Sequence, residues 1–248
     1  LWKKCVKCEA VLYRPELEEN QDVCPKCDHH MRIGARRRIA LFLDEQGREE
    51  ILSGIEPVDR LKFKDKKKYK DRLAAAQKST GEKDALIAYK GTVKDVPVVT
   101  VAFEFNFHGG SMGSAVGEKF TQAANIALQE RRPLVCFSAS GGARMQEALI
   151  SLMQMAKTVT AANRLREKEV PFIVVLANPS TGQAYASFAN LADIIIAEPG
   201  SLIGLSPLRT LREVSKTPLP LDAHTAEAHL GHGLLDNVID REALQPRL

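Results

Sequence analysis

Nowhere in this sequence does an apolar run reach the roughly 18–20 residues that a membrane-spanning helix needs, so no such span is expected. Aromatic residues are scarce, at 6% with a single Trp, which weighs against the stacking platforms that hold single-stranded nucleic acid. Neither sign of charge dominates: 35 Lys and Arg face 31 Asp and Glu, and a net +4 does not by itself point to a polyanionic partner. Cysteine is limited to five residues, four of them in Cys-x-x-Cys pairs, which suits metal binding in a reducing compartment better than a disulfide framework. No secretory or transit pattern stands at the start, and the sequence opens on Leu1 rather than Met, so targeting stays open. What remains is an ordinary globular make-up, 44% hydrophobic and 27% charged, long enough at 248 residues for a main domain plus a small module.

The small module is the first thing present. Cys5-Val6-Lys7-Cys8 and Cys24-Pro25-Lys26-Cys27 are separated by 15 residues, the spacing of a four-cysteine zinc site. Each turn places two thiolates about 2.3 Å from one Zn²⁺, and two turns complete a tetrahedron. Lys3, Lys4, Lys7, Lys26 and Arg32 lie close enough in sequence to offset its negative charge. Four cysteines close the site, so His29 and His30 are expected at the surface and the metal is expected to be structural.

A basic lead-in follows. Residues 33–43 have a helical pattern carrying Arg36, Arg37 and Arg38, and Pro57 marks a loop. The run from Lys62 to Arg72 continues into Leu73 and stops near Gly81. It reads either as a solvated helix face or as a basic patch for nucleotide phosphates or RNA. Residues 85–93 and 96–103 then read as a hairpin around Lys94-Asp95. A glycine-rich loop with Gly109, Gly110 and Gly113 feeds a helix over 114–129, without the Gly-Lys-Ser/Thr ending of a nucleotide P-loop.

From residue 133 the pattern alternates: strand 133–138, helix 143–169, strand 170–177, turn 178–183, short helix 184–191, strand 193–198. This is α/β with successive βαβ units, and ligands of such folds gather at strand ends. A helix near 225–231 and a strand near 234–239 close the chain. Cys136, Met145, Met153 and Met155 are expected in the core. At Phe137-Ser138-Ala139-Ser140-Gly141-Gly142-Ala143-Arg144-Met145-Gln146-Glu147 two glycines occupy a strand-to-helix turn. Backbone N–H groups of a helix's first turn are free to meet a ligand oxygen, so Gly141 and Gly142 are candidate oxyanion donors. The plainer alternative is a tight turn. Ser138 and Ser140 have no matched His in the motif, which leaves no nucleophile–base pair there.

Together the four-cysteine module, Phe107-His108-Gly109-Gly110-Ser111-Met112-Gly113-Ser114 and the 137–147 motif resemble the β subunits of bacterial- and plastid-type acetyl-coenzyme A carboxylase carboxyltransferases. Ala186-Ser187-Phe188-Ala189 and Ile196-Ala197-Glu198-Pro199-Gly200 fit the same family, and the match runs from about Cys5 to Gly204. The resemblance implies a crotonase-like (ClpP/crotonase) fold of stacked ββα units behind a zinc ribbon. It divides the chain into a ribbon at 1–32 and a carboxyltransferase domain at 33–248, with 33–84 a helical, basic lead-in.

It further implies transfer of a carboxyl group from carboxybiotin, on a biotin carboxyl carrier protein, to acetyl-CoA. The product is malonyl-CoA, in the first committed step of fatty acid biosynthesis. A carboxyltransferase α subunit is the implied partner, in an α₂β₂ heterotetramer, with biotin carboxylase in the larger ATP-dependent complex in the cytoplasm or plastid stroma. Zinc would be held by Cys5, Cys8, Cys24 and Cys27. Gly141 and Gly142 would be catalytic, and Gly109, Gly110, Gly113, Ser140, Ala143, Arg144 and Gly182 would line the substrate. Arg144 has a second reading, pairing with a carboxylate at a subunit contact, and Glu147 reads as a helix-face residue.

The chain departs from the family at three places. It has Gln183 where Thr-Gly-Gly is usual, Leu205-Ser206-Pro207 in place of Phe-Ala-Gly, and His108 in place of an apolar residue. A crotonase-like acyl-CoA hydratase or hydrolase, and a zinc-ribbon RNA-binding protein, are the competing readings.

Overall fold

The computed structural model describes every residue except Pro207 and Leu221, with Arg209 described in its backbone alone, so Pro207, one of the departures from the family, lies outside the described residues. At the N-terminus β1 (Trp2–Lys4) and β2 (Val11–Tyr13) pair antiparallel, and α1 (Arg14–Glu19) follows. Next come α2 (Ala35–Phe42), β3 (Glu49–Ile51) and α3 (Tyr69–Thr80), the last closed by Gly81 in the left-handed conformation at φ 75°. The hairpin is β4 (Leu86–Val93) and β5 (Val96–Phe103). Lys94 and Asp95 both take positive φ at its tip, and the Asp44 carboxylate accepts both of their N–H groups.

The alternating half runs α4 (Ser114–Glu130), β6 (Leu134–Ser140), α5 (Leu149–Glu167), β7 (Phe172–Thr181), α6 (Gln183–Ala186) and β8 (Ile194–Ala197). The tail adds β9 (Ile203–Gly204), α7 (Leu208–Val214), α8 (Ala226–Gly231), β10 (Asn237–Val238) and α9 (Arg241–Arg247).

One sheet orders these strands β10-β8-β7-β6-β5-β4-β3, with β9 paired to the end of β7. Strands β5 to β10 along this path are parallel, and β3 and β4 are antiparallel to their neighbours. Period-two alternation divides the core. Leu134 and Cys136 of β6 join Phe120, Phe172 and Phe188 beneath α4 and α5, whereas Val135 and Phe137 pack with Ile39 and Phe42 of α2 on the other face. Burying both faces explains the nearly unbroken apolar runs in the parallel strands.

Four expectations need correction. The strand expected to end at Ala177 continues to Thr181, because β9 supplies a partner: Ser180 N–H reaches Leu202 O at 2.8 Å and Gly182 N–H reaches Gly204 O at 2.9 Å. The helix expected from Ala143 starts at Leu149, after a single 3₁₀ turn at Met145–Glu147. The core methionines are not core: Met145 is 80% and Met153 57% exposed, and Met155 is half-buried.

His30, expected at the surface, is buried. It is part of a joint between the four-cysteine module and α9. Its Nε2 accepts the Arg241 N–H at 3.1 Å, and the Arg241 guanidinium donates to Gln21 O at 2.6 Å and Met31 O at 2.9 Å. The same guanidinium shares the Glu198 carboxylate with Arg38, all three groups buried. Burial alone would raise the Glu198 pKa, but the two guanidiniums override it and hold the carboxyl far below its usual range.

Candidate functional site

The loop before α4 and the turn after β6 are zipped together by backbone hydrogen bonds. Gly141 N–H donates to Gly109 O at 2.9 Å, Met112 N–H to Gly142 O at 2.8 Å, and Arg144 N–H to Met112 O at 3.0 Å. Gly110, at φ 65°, permits the approach: a Cβ there would stand 2.0 Å from Ala139 O. The turn after β7 closes on the same point, since a Cβ on Gly182 would lie 3.0 Å from Gly142 Cα. Gly113 abuts Glu147 and Arg144, and the buried Ser140 Oγ accepts the Gly142 N–H at 3.2 Å. Every predicted substrate-lining residue is therefore drawn into one cluster at the strand ends, although two of the assigned roles change.

The first change concerns the oxyanion donors. Gly141 N–H is spent on Gly109 O and Gly142 N–H on Ser140 Oγ, so neither glycine offers a bare donor. The cause is local. Past β6 the chain bends at Gly142, at φ 118°, and Ala143 then pairs with Met112 as a parallel bridge. In such a pairing Gly142 C=O and Arg144 N–H face Met112, while the N–H of the residue between them turns the other way. Among the described residues, no protein acceptor meets the N–H of Ala143 or that of Gly109, and both residues are half-exposed. Bare donors thus exist at this turn, one residue beyond and one loop away from those expected.

The second change concerns Arg144. It is fully buried, and its guanidinium binds Asp84 through two hydrogen bonds of 2.9 and 2.5 Å, with further bonds to Ser111 O at 2.7 Å and Ser111 Oγ at 3.1 Å. Glu147, also buried rather than on a helix face, accepts from Tyr69 Oη at 2.7 Å and from Ser114 N–H at 2.7 Å, which fixes the start of α4. Burial raises the Tyr69 pKa, so the phenol stays protonated and donates. Arg144 therefore braces the zipped loops from behind and reaches no ligand surface. Asp84 and Tyr69 lie in no motif of the sequence, and Ser111, inside the glycine-rich motif, has no role assigned by it. His108 packs edge-on against the Tyr69 ring at 6.0 Å, and burial followed by the Arg144 charge lowers its pKa, keeping it neutral.

At the N-terminus the four sulfurs of Cys5, Cys8, Cys24 and Cys27 lie within 4.8 Å of one another, with Cys5–Cys27 and Cys8–Cys24 at 3.7 Å. Zn–S bonds of about 2.3 Å give a tetrahedral edge of about 3.8 Å, so the donor set fits zinc, which would act there as a cross-link. All four positions are thiolates and none is open to substrate. The basic lead-in divides. Arg36 binds Glu50 at 2.8 Å and Glu82 at 2.5 Å, Arg37 donates to Glu18 O, and Arg38 holds Glu198, so none of the three forms a free patch.

Helix α5 is inverted. Ser151, Gln154 and Thr158 face inward, while Leu149 (68%), Leu152 (54%) and Met153 (57%) stand exposed beside Met145.

The carboxyl transferase domain family model matches residues 55–225, and the acetyl-CoA carboxylase zinc finger domain model matches residues 2–27. Among solved structures, transcarboxylase 12S with hydrolysed methylmalonyl-coenzyme A bound is similar, with a TM-score of 0.73 and 24% identity over 94% of this chain and 42% of that one. The malonate decarboxylase MdcD–MdcE hetero-dimer of Pseudomonas matches with a TM-score of 0.68 and 21% identity, over 87% of this chain and 83% of that one. The β subunit of P. aeruginosa geranyl-CoA carboxylase matches with a TM-score of 0.67 and 20% identity, over 94% and 39%. These structures share the α/β, crotonase-like fold, and this chain spans less than half the length of the transcarboxylase chain. With most of its length matched to that family model, the chain belongs to the carboxyl transferase domain family and carries an acetyl-CoA carboxylase-type zinc ribbon in front of it.

Proposed function

We propose that the chain is the β-type subunit of a biotin-dependent carboxyltransferase acting on a short acyl-CoA, acetyl-CoA to malonyl-CoA, with residues 1–32 as its ribbon and 33–248 as its catalytic domain. The observation that carries this reading is the pair of unpartnered N–H groups, Ala143 and Gly109, on two loops that backbone hydrogen bonds lock together. In the reaction the acyl α-carbon loses a proton, bonds to the carboxyl carbon released from the ureido nitrogen of carboxybiotin, and that nitrogen takes up the proton. Negative charge builds on the thioester oxygen as the proton leaves. Fixed amides stabilise that charge without reorganising, and no protein base is required.

The test separates the two pairs of amides. Ala143→Pro, which deletes one bare N–H, is expected to lower kcat for malonyl-CoA-dependent carboxylation of biocytin by about 10²–10³-fold. Gly141→Ala adds a Cβ only 3.3 Å from Gly109 O and touches no bare donor. It should stay within about tenfold of wild type. With both variants folded by circular dichroism, the opposite ranking would return the role to Gly141 and Gly142.

A hydratase or hydrolase would need carboxylates facing the acyl chain. Glu147 and Asp84 are instead turned inward and consumed by Tyr69 and Arg144.

The inverted helix supports a partner subunit. Three large apolar side chains exposed on α5, with Met145 on the turn before it, form the kind of patch that subunit interfaces cover. A homologous carboxyltransferase subunit is the proposed occupant. Leu149→Asp combined with Met153→Asp should abolish co-purification with that subunit while shifting the chain's own melting temperature by no more than a few degrees. A large loss of Tm in the isolated chain would instead make the face part of its core.

A further inference from the structure

The basic run from Lys62 to Lys70, at the start of α3, is left without acidic partners for its lysines among the described residues. Lys62, Lys64, Lys66, Lys67, Lys68 and Lys70 are all exposed, and among the described residues none forms an ion pair. The acid inside the run is withdrawn from them: Asp65 binds Arg72 through hydrogen bonds of 2.7 and 2.8 Å and caps the Lys67 N–H at 2.9 Å. Six ammonium groups are thus held within nine residues by a turn that points its only carboxylate elsewhere.

The position of this cluster matters as much as its charge. Tyr69, near its C-terminal end, is fully buried, and its hydroxyl reaches Glu147 at 2.7 Å and Arg144 at 3.4 Å, the two side chains that brace the glycine loops. The Tyr69 ring also packs edge-on against His108, the residue before Gly109, so the turn carrying the lysines rests on the loop that bears one of the bare N–H groups. Phe63 packs inward against the core and Tyr69 is inaccessible, so the cluster has no exposed ring on which a nucleic-acid base could stack. Charge without a stacking surface suits phosphate groups attached to a ligand whose other end enters the site.

We infer that Lys62–Lys70 is the docking surface for the phosphates of the coenzyme A substrate, its 3′-phosphate and 5′-pyrophosphate. The inference rests on the acyl-CoA reading of the glycine site. A phosphomonoester carries about −1.5 to −2 charge at pH 7, and the pyrophosphate adds to it, so several lysines are needed to offset the whole. Because these charges sit in water, their effect fades with salt.

The experiment compares wild type with Lys66→Glu/Lys67→Glu/Lys68→Glu in the assembled carboxyltransferase. Free CoA binding, measured by calorimetry at low salt, is expected to weaken about tenfold or more, and the difference should shrink at high salt. In the biocytin assay KM for malonyl-CoA should rise by a similar factor, with kcat within twofold and KM for biocytin unchanged. Malonyl-pantetheine, which lacks all three phosphates, should be used equally by both proteins. Equal CoA affinity would overturn the inference. A rise confined to the KM for the biotin carrier protein would also overturn it, as would loss of single-stranded RNA binding with CoA binding intact. If wild type carboxylates biocytin from neither thioester, the carboxyltransferase reading fails, and the CoA binding comparison still decides the lysines.

Discussion

Asp84→Asn is expected to remove about 3–5 kcal/mol of folding stability, the usual cost of breaking a buried ion pair by deleting one partner. Both Asp84 and Arg144 are at 0% side-chain exposure, and among the described residues Asp84 is the one carboxylate that accepts two hydrogen bonds from the guanidinium. Asparagine keeps the shape but leaves a cation in the interior facing a neutral amide. Glu147 lies 3.7 Å away but is already engaged by Tyr69 and Ser114 N–H, so it compensates only in part. The loss should exceed that of an apolar double replacement, Asp84→Leu with Arg144→Met, because the double variant leaves no uncompensated charge. Urea denaturation of the three proteins measures both quantities. A loss below about 1 kcal/mol for Asp84→Asn would show that Arg144 is not held as described. Activity should fall with stability, because Ser111 and Met112 would lose the anchor that keeps the loops zipped.

Removing the metal should have a larger effect, confined to the N-terminus. The module's core is only Cys5, Leu12, Leu17, Cys24 and Met31, too little to fold a segment of this length unaided. A structural zinc supplies about 10–16 kcal/mol of apparent binding free energy, and in such modules that is folding free energy. Chelation, or Cys24→Ser, should therefore expose the ribbon to limited proteolysis while most far-ultraviolet circular dichroism persists. Elemental analysis should return one zinc per chain before treatment. Retained protection after complete chelation would show that the joint through Arg241, His30 and Glu198 holds the ribbon without metal. That joint involves seven hydrogen bonds to Arg241 and Glu198 among the described residues, so some delay in unfolding is expected even in the supported case.

The corrections at the glycine turn, at the methionines and at His30 share one physical origin. Sequence periodicity marks Met145, Leu149 and Met153 as a stripe, and a stripe looks the same whether it faces the chain's own core or a neighbour. Likewise, Gly-Gly shows that backbone must approach backbone, but not which N–H groups remain free afterwards. That choice was made by the pairing of Met112 with Ala143, residues 31 positions apart, which no local pattern records. The inward turn of Arg144 follows from Asp84, 60 residues earlier, and the buried His30 from Arg241, 211 residues later.

Short-range chemistry was enough for what depends on neighbours in the chain. Spacing of four thiols specified a tetrahedral donor set, two β-rich runs flanking Lys94-Asp95 marked a two-residue hairpin, and apolar runs bounded by glycine or proline marked the parallel strands. Long-range pairing alone decided which amides stay bare, which charges are neutralised and which apolar face is left outside. Those properties depend on partners that meet only when the sheet closes. A buried donor or charge is satisfied by whatever group the fold brings to it, and an exposed lysine stays free only if the fold brings none.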